Sequence, residues 1–380
     1  MTSAIQMSSP TVALIRQASD VVAKILDSQY QDGVATRESN IHRAGLLINA
    51  ALRLARVRLI TVRGYDQLVA AGGDQFGRAS ASKTLSDAII RWKDCDTLRV
   101  GLADDQSQGI FDWFLKMRVA YAEVGEEALV LFPPPVLVED YRQQLVRLSQ
   151  QRQGNVYDVG GLRIESCPET ILDSVVYQQY LLPDLVEPSS GDTVLDIGAF
   201  KGETTLWFAQ KIGPSGLVVA FEPILSAVRV CVENVRRNQG RALGNIQVEN
   251  LAVGAQTGSC TMTQRGNSGD AVTNSSTSSV KMTSIDEYVR ISRVSRVDFI
   301  KMDIEGMERG ALEGGMATIR RFRPKLAIAC YHKGDDLRVL ASMIHRQEPS
   351  YKLHLAHKSP TWHDTVLFAC SDRGGDVAGE

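Results

Sequence analysis

The chain lacks an excess of charge of either sign. Its 42 Lys and Arg stand against 44 Asp and Glu, for a formal net charge of −2. Nucleic-acid binding calls for a basic face, so this balance excludes an electrostatic case for such a partner. No apolar run approaches the roughly 20 residues that cross a bilayer, and no membrane partner is expected. The first residues lack the basic-then-apolar order of a secretory leader, which makes a cytoplasmic location the expectation. The six cysteines (Cys95, Cys167, Cys231, Cys260, Cys330 and Cys370) are scattered and form no Cys-x-x-Cys. That pattern excludes a zinc ribbon and reads as reduced core thiols. No His-x-x-x-His or His-Glu-x-x-His occurs, which disfavours a histidine zinc site.

What is present is ordinary globular material, 44% hydrophobic and 23% charged over 380 residues, enough for two domains and a well-buried core. The chain divides near residues 150–155, where the polar helix expected over Tyr141 to Gly154 ends in glycine. Ahead of it, Val12, Ile15, Val22, Ile25 and Leu26 fall at helical spacing, as do Leu46, Leu47, Leu54 and Val57 within Ile41 to Ile60. Phe111 to Glu123 predicts a further helix. Thr97 to Leu102 and Ala128 to Phe132 predict short strands, the second stopped by Pro133, Pro134 and Pro135. Gly72, Gly73 and Gly77 mark a loop. Residues 1–150 therefore read as a mostly helical accessory domain with some strand, suited to oligomerisation, a lid or substrate selection.

From Asp192 onward strands and helices alternate. Strands are expected at Thr193 to Ile197, Leu217 to Phe221, Asn245 to Glu249, Val297 to Met302 and Lys325 to Cys330. Helices are expected over about Glu203 to Ile212, Ser226 to Gln239, Met307 to Arg321 and Asp335 to His345. The alternation predicts a doubly wound parallel sheet. Tyr351 to Leu355 and Thr365 to Cys370 are two last strands with no helix between them, which predicts an antiparallel closing strand. Between Gly254 and Ser284 a Ser/Thr/Gly-rich stretch reads as a hairpin whose tip, Gly266 to Ser279, could serve as a lid.

The most informative stretch is Thr193 to Gly202, an apolar strand ending in Asp196 and followed by Gly198 and Gly202. Bare backbone at such a turn lets a ligand approach, and the helix beginning at Glu203 offers free N–H groups to an anion. Asp196 can accept from a cationic amine, so a methionine-like group suits the place. The spacing is Asp-x-Gly-x-x-x-Gly, without the third glycine of a dinucleotide loop, and Phe200 and Lys201 crowd the pyrophosphate position. A nicotinamide oxidoreductase is therefore the disfavoured enzyme reading, and a degenerate scaffold without catalysis is the non-enzymatic one. Ligands in open α/β sheets bind beyond the carboxyl ends of the strands. There the second strand delivers Glu222, which can accept both hydroxyls of a ribose or act as a helix-capping acid. The fourth delivers Asp303 and Glu305, readable as a divalent-metal site or as a pair that caps backbone. The fifth delivers Tyr331, His332 and Lys333. Five of the six histidines (His332, His345, His354, His357 and His363) lie late in the chain. His332 is the candidate general base and His357 the next.

At these residues the chain resembles the FkbM-type S-adenosylmethionine-dependent methyltransferases. The resemblance rests on an ordered set. Gln179-Tyr180 leads to Asp196-Ile197-Gly198-Ala199 and Gly202-Glu203-Thr204. Phe221-Glu222-Pro223, Leu251-Ala252-Val253-Gly254 and Thr283-Ser284-Ile285-Asp286 follow, then Lys301-Met302-Asp303-Ile304-Glu305-Gly306, Tyr331-His332-Lys333 and Thr365-Val366-Leu367-Phe368. It implies a class I methyltransferase domain, an α/β seven-stranded Rossmann-like sheet over 155–380, with S-adenosyl-L-methionine as cofactor. It further implies O-methylation of a small-molecule or saccharide hydroxyl. The cofactor-binding set it implies is Asp196, Gly198, Ala199, Phe200, Gly202, Thr204, Glu222, Ala252, Val253 and Asp303. Asp196, Gly198 and Gly202 would hold the methionine part, Glu222 the ribose, Ala252 and Val253 the adenine, and Asp303 would face the sulfonium. His332, Asp303 and Glu305 are the catalytic candidates. A divalent ion such as Mg at Asp303 and Glu305 is compatible with these roles.

Overall fold

The computed structural model describes residues 9–31, 78–262 and 278–371. The helix expected over Ile41 to Ile60, the Gly72 to Gly77 loop and most of the Gly266 to Ser279 tip lie outside them. The chain forms two compact units. Of the described residues, one takes in those up to Asp96, Asp112–Pro133 and Lys333–Asp335, and the other Thr97–Phe111, those from Pro134 to His332 and those from Asp336 onward. The break therefore does not fall at 150–155. Helix Val138–Gln150 belongs to the second unit, because its Tyr141 and Leu148 pack with Tyr157, Leu162 and Ile171.

Before residue 152 the regular elements among the described residues are helices, so the two strands expected there are corrected. Thr97 to Gly101 is the end of helix Trp92–Gly101. Cys95 and Leu102 are both buried and stand seven residues apart, a helical rather than a strand period. Only Leu102 bridges a strand, pairing with Leu353. Ala128–Leu131 is a short helix that buries Ala128 and leaves Val130 outward. The other helices of this part are Pro10–Gln31, Arg78–Ile90 and Asp105–Val124.

After helix Val138–Gln150 the second unit carries a small antiparallel sheet that the sequence did not predict: β1 (Arg152–Gln153), β2 (Val156–Val159) and β3 (Leu162–Glu165). Gly160 and Gly161, both with positive φ, form the tight turn between β2 and β3. The main sheet is built from β4 (Thr193–Ile197), β5 (Leu217–Phe221), β6 (Asn245–Glu249), β10 (Phe299–Met302), β11 (Lys325–Ala329), β12 (Tyr351–His357) and β13 (Thr365–Ser371). Its order is β12-β13-β11-β10-β4-β5-β6. β4, β5, β6, β10 and β11 run parallel, and β13 lies antiparallel to β11, as the missing crossover helix demands. β7 (Ala252–Val253), β8 (Gly258–Met262) and β9 (Ser278–Thr283) make a third sheet. The helix expected over Met307 to Arg321 is two, Glu308–Glu313 and Met316–Phe322, parted at Gly314 and Gly315. Val194, Phe208, Val218, Phe299, Ala327 and Phe368 share one core, which makes the sheet a rigid platform for its carboxyl edge. No described helix is long and apolar enough to cross a membrane.

Candidate active site

β4 stands between β5 and β10, so the carboxyl ends of these strands present their chemistry side by side. Asp196 on β4 is paired in register with Lys301 on β10. Both side chains are buried, with Lys301 Nζ 3.3 Å from Asp196 Oδ1. The Thr204 and Thr205 hydroxyls donate to Asp196 Oδ2 at 2.7 and 2.6 Å. Lys301 also donates to the Gly198 carbonyl at 2.6 Å and lies over the Tyr180 ring at 5.0 Å. This corrects the expectation for Asp196 and Thr204. Their polar groups are turned into the protein and hold the first turn of helix Glu203–Ile212 to the sheet.

The two glycines are required for a different reason than ligand approach. Gly198 has φ +85°, and a Cβ there would lie 1.9 Å from the Asp303 carbonyl oxygen. Gly202 has φ +89°, and a Cβ would lie 2.8 Å from Cys231 Sγ. The chain itself, not a ligand, occupies the space a side chain would need. Between them the N–H groups of Gly198 and Ala199 both donate to the Phe221 carbonyl, and Phe200 adopts φ +47°.

That turn aims Phe200 N–H at Glu222 Oε2, 2.9 Å away, while Ile224 N–H donates to Oε1 at 2.8 Å. Glu222 is thus fastened to the glycine loop at the end of β5. Burial pushes its carboxyl up to about 7 despite these two donors. Glu203 beside it accepts from the Ser166 hydroxyl, and burial pushes it up to about 7 as well. Ala252 and Val253 are buried in β7 and pair with Met282 and Thr283 of β9.

Beyond β10 the chemistry gathers around Asp303. Tyr180 donates to its Oδ2 at 2.6 Å and Tyr331 to its Oδ1 at 3.3 Å. His332 Nε2 stands 3.3 Å from Asp303 Oδ1 and 3.7 Å from Glu305 Oε2. Its Nδ1 is 2.9 Å from Glu308 Oε1, which also accepts from Ile304 N–H at 2.9 Å. Glu305 holds φ +55°, an uncommon conformation for a non-glycine residue, and it brings the carboxylate back toward the ring. Behind, Asp336 is neutralised by Arg309 at 2.7 Å. Burial by itself would lower the His332 pKa, but Glu308, Glu305 and Asp303 outweigh it and push it up to about 10. His332 therefore holds its proton at neutral pH, which corrects its assignment as general base. Burial and Asp303 likewise hold the phenols of Tyr180 and Tyr331 far above their ordinary value.

The sheet brings Asp196, Gly198, Ala199, Phe200, Gly202, Glu222, Asp303, Glu305 and His332 to one edge. The remaining histidines are engaged otherwise. His357 bonds Thr365 and the Thr361 carbonyl, and His354 Nδ1 lies 2.5 Å from Asp104. Tyr180, Lys301 and Glu308 were not singled out as site residues from the sequence. Lys301 left a trace there, a lone charge in the buried strand Phe299–Met302 that must find a partner. Glu308 left none, since only the turn after β10 carries it under His332.

Comparison with known proteins fits this layout. Residues 196–352 match the family profile of the methyltransferase FkbM domain. The chain is similar to the structure of methyltransferase FkbM from Methylobacillus flagellatus, at 21% identity and a TM-score of 0.51, covering 75% of this chain and 60% of that one. The chain thus spans less than two thirds of that protein, and the likeness shows the class I methyltransferase fold with its mixed seven-stranded sheet. Weaker likenesses include an O-methyltransferase from Bacillus cereus in complex with SAH (15% identity, TM-score 0.34, 65% of this chain and 95% of that one). Another is Aeropyrum pernix fibrillarin with bound S-adenosyl-L-methionine (15% identity, TM-score 0.33, 51% and 73%). No curated protein sequence matches the chain.

Proposed function

From a chain whose residues 196–352 match the methyltransferase FkbM domain, we infer a methyltransferase that uses S-adenosyl-L-methionine and methylates a hydroxyl of a small molecule or saccharide. The observation that carries the reading is the flanking of one glycine loop by two carboxyl groups, Glu222 on one side and Asp303 on the other. Glu222 bonds the loop through Phe200 N–H, and the Asp303 carbonyl closes on Gly198.

The residues present fit that cofactor. Each Glu222 oxygen already accepts one backbone N–H and keeps a lone pair, which suits the two hydroxyls of a ribose. Raised to about 7, the same carboxyl can donate as well as accept near neutral pH. The first turn of helix Glu203–Ile212 offers N–H donors to a carboxylate. Asp196 takes no part in this grip; it sets the loop's position from beneath.

The cofactor supplies an activated methyl group on a sulfonium sulfur. The protein's work is alignment, which can remove about 7–11 kcal/mol of barrier. Asp303 and Glu305 accept the hydrogen bond of the incoming hydroxyl, one of these carboxylates takes its proton as the oxygen is methylated, and Tyr180 and Tyr331 fix the Asp303 carboxylate in one orientation. His332 carries positive charge between these carboxylates and keeps them from repelling one another.

Calorimetry with S-adenosylhomocysteine tests the first half of the reading, with binding expected for the wild type and a loss of at least tenfold for Glu222→Ala. Transfer of labelled methyl to a panel of glycosides and simple alcohols tests the second. Heat with NAD and none with S-adenosylhomocysteine would replace this reading with an oxidoreductase.

A further inference from the structure

We infer that Asp303, Glu305 and His332 form a binding site for a divalent transition-metal cation, with Glu308 as the residue that positions the histidine. The argument starts from donor geometry. One oxygen each from Asp303 and Glu305 and the His332 Nε2 lie within 4.8 Å of one another, the two nitrogen–oxygen separations being 3.3 and 3.7 Å. Ligands about 2.0–2.2 Å from a common ion are spaced at about 3 Å, so a small closure completes the set. The three come from two different strand ends. Asp303 and Glu305 follow β10, His332 follows β11, and these strands are neighbours in the sheet.

The second observation is on the far side of the ring. His332 Nδ1 stands 2.9 Å from Glu308 Oε1, and Glu308 is buried and held by Ile304 N–H. A carboxylate on one ring nitrogen fixes the tautomer and turns the other nitrogen toward the ion, the usual support for a metal-bound imidazole. Here the Nε2 edge points at the Asp303 and Glu305 carboxylates. The left-handed backbone of Glu305 is a third sign, since strain at a non-glycine residue is kept where it aims a side chain. Binding exchanges the Nε2 proton for the cation and releases that proton to solvent.

One nitrogen and two carboxylate oxygens suit manganese or iron better than magnesium, which prefers oxygen alone. A cation at this place lies beside the carboxylates that receive the acceptor and would polarise its hydroxyl. This catalytic use rests on the methyl-transfer reading; the binding does not. An acceptor able to offer two neighbouring oxygens, as a sugar diol does, would match such a site best.

The test uses the full chain freed of metal by chelation, titrated with Mn²⁺ and followed by electron paramagnetic resonance, with S-adenosylhomocysteine binding measured in parallel. One Mn²⁺ per chain is expected. Glu305→Gln, at a half-buried position, should abolish that stoichiometric binding while S-adenosylhomocysteine still binds. Glu308→Gln should weaken Mn²⁺ by about 10–100-fold and keep the stoichiometry. Absence of stoichiometric Mn²⁺ or Fe²⁺ in the folded wild type overturns the inference, as does unchanged binding in Glu305→Gln. Metal bound without any S-adenosylhomocysteine leaves the site standing and removes the methyltransferase reading instead.

Discussion

Lys301 on β10 and Asp196 on β4 are cross-strand partners, paired in register and joined at 3.3 Å in the interior of the sheet. The pair reaches the functional loop from below. Lys301 holds the Gly198 carbonyl, and Asp196 holds Thr204 and Thr205. A buried ion pair is weak evidence of net stability, but each partner depends on the other.

Lys301→Met should accordingly cost about 3–5 kcal/mol, because it leaves the Asp196 carboxylate buried and uncompensated. Adding Asp196→Asn to that variant should recover part of the loss. Urea unfolding of the single and double variants checks both statements, and strictly additive effects would contradict the pairing.

Gly198→Ala should destabilise the chain and not merely weaken a ligand. The new methyl group meets the Asp303 carbonyl oxygen at 1.9 Å, and the residue sits at φ +85°. A loss of about 1–3 kcal/mol is expected from the strained backbone alone, with more from the clash. A thermal melt without ligand separates the cases, since a glycine needed only for ligand approach would leave the midpoint unchanged.

Glu222 and Glu203 give the protein a pH dependence of definite sign. Both carboxyls ordinarily titrate at 4.5, and in the fold both rise to about 7. Between these values the folded state binds protons that the unfolded state has released, so stability falls as pH rises from 4.5 to 7 and levels off above. Glu222→Gln and Glu203→Gln should each flatten that decline. Urea midpoints at intervals between pH 4.5 and 8 measure the slope, and a slope identical to wild type in both variants counts against the buried-acid account.

His332→Ala should lower the melting midpoint and leave S-adenosylhomocysteine affinity within a few-fold of wild type. Removing the ring leaves Glu308, fully buried, facing Asp303 and Glu305 with no positive charge between them. Methyl transfer to any accepted glycoside should be lost. Unchanged kcat would take His332 out of the mechanism.

Much of the sheet was legible beforehand because strand and helix periods are local. Thr193 to Ile197, Leu217 to Phe221 and Asn245 to Glu249 are strands as expected, the first two as largely apolar runs and the third by its alternation of polar residues with Ile246 and Val248. The closing antiparallel pair was legible for a topological reason, as no helix intervenes to carry a crossover. The misread elements were short. Thr97 to Leu102 and Ala128 to Phe132 are too brief for either period to show, and packing decided them. β1 to β3 escaped notice because two- and four-residue strands leave almost no pattern.

The order of strands and helices along the second unit, and the set of polar residues delivered to the strand ends, were determined by the sequence alone, since both follow from spacing over a few residues. Which of those residues meet was decided only by the tertiary structure. The sheet places β10 between β4 and β11, far apart in the chain, and so brings Lys301 under Asp196 and His332 among Asp303, Glu305 and Glu308. That adjacency turned Asp196 from a ligand contact into a buried support and His332 from a base into a charged centre. Local spacing carries no record of a partner a hundred residues away.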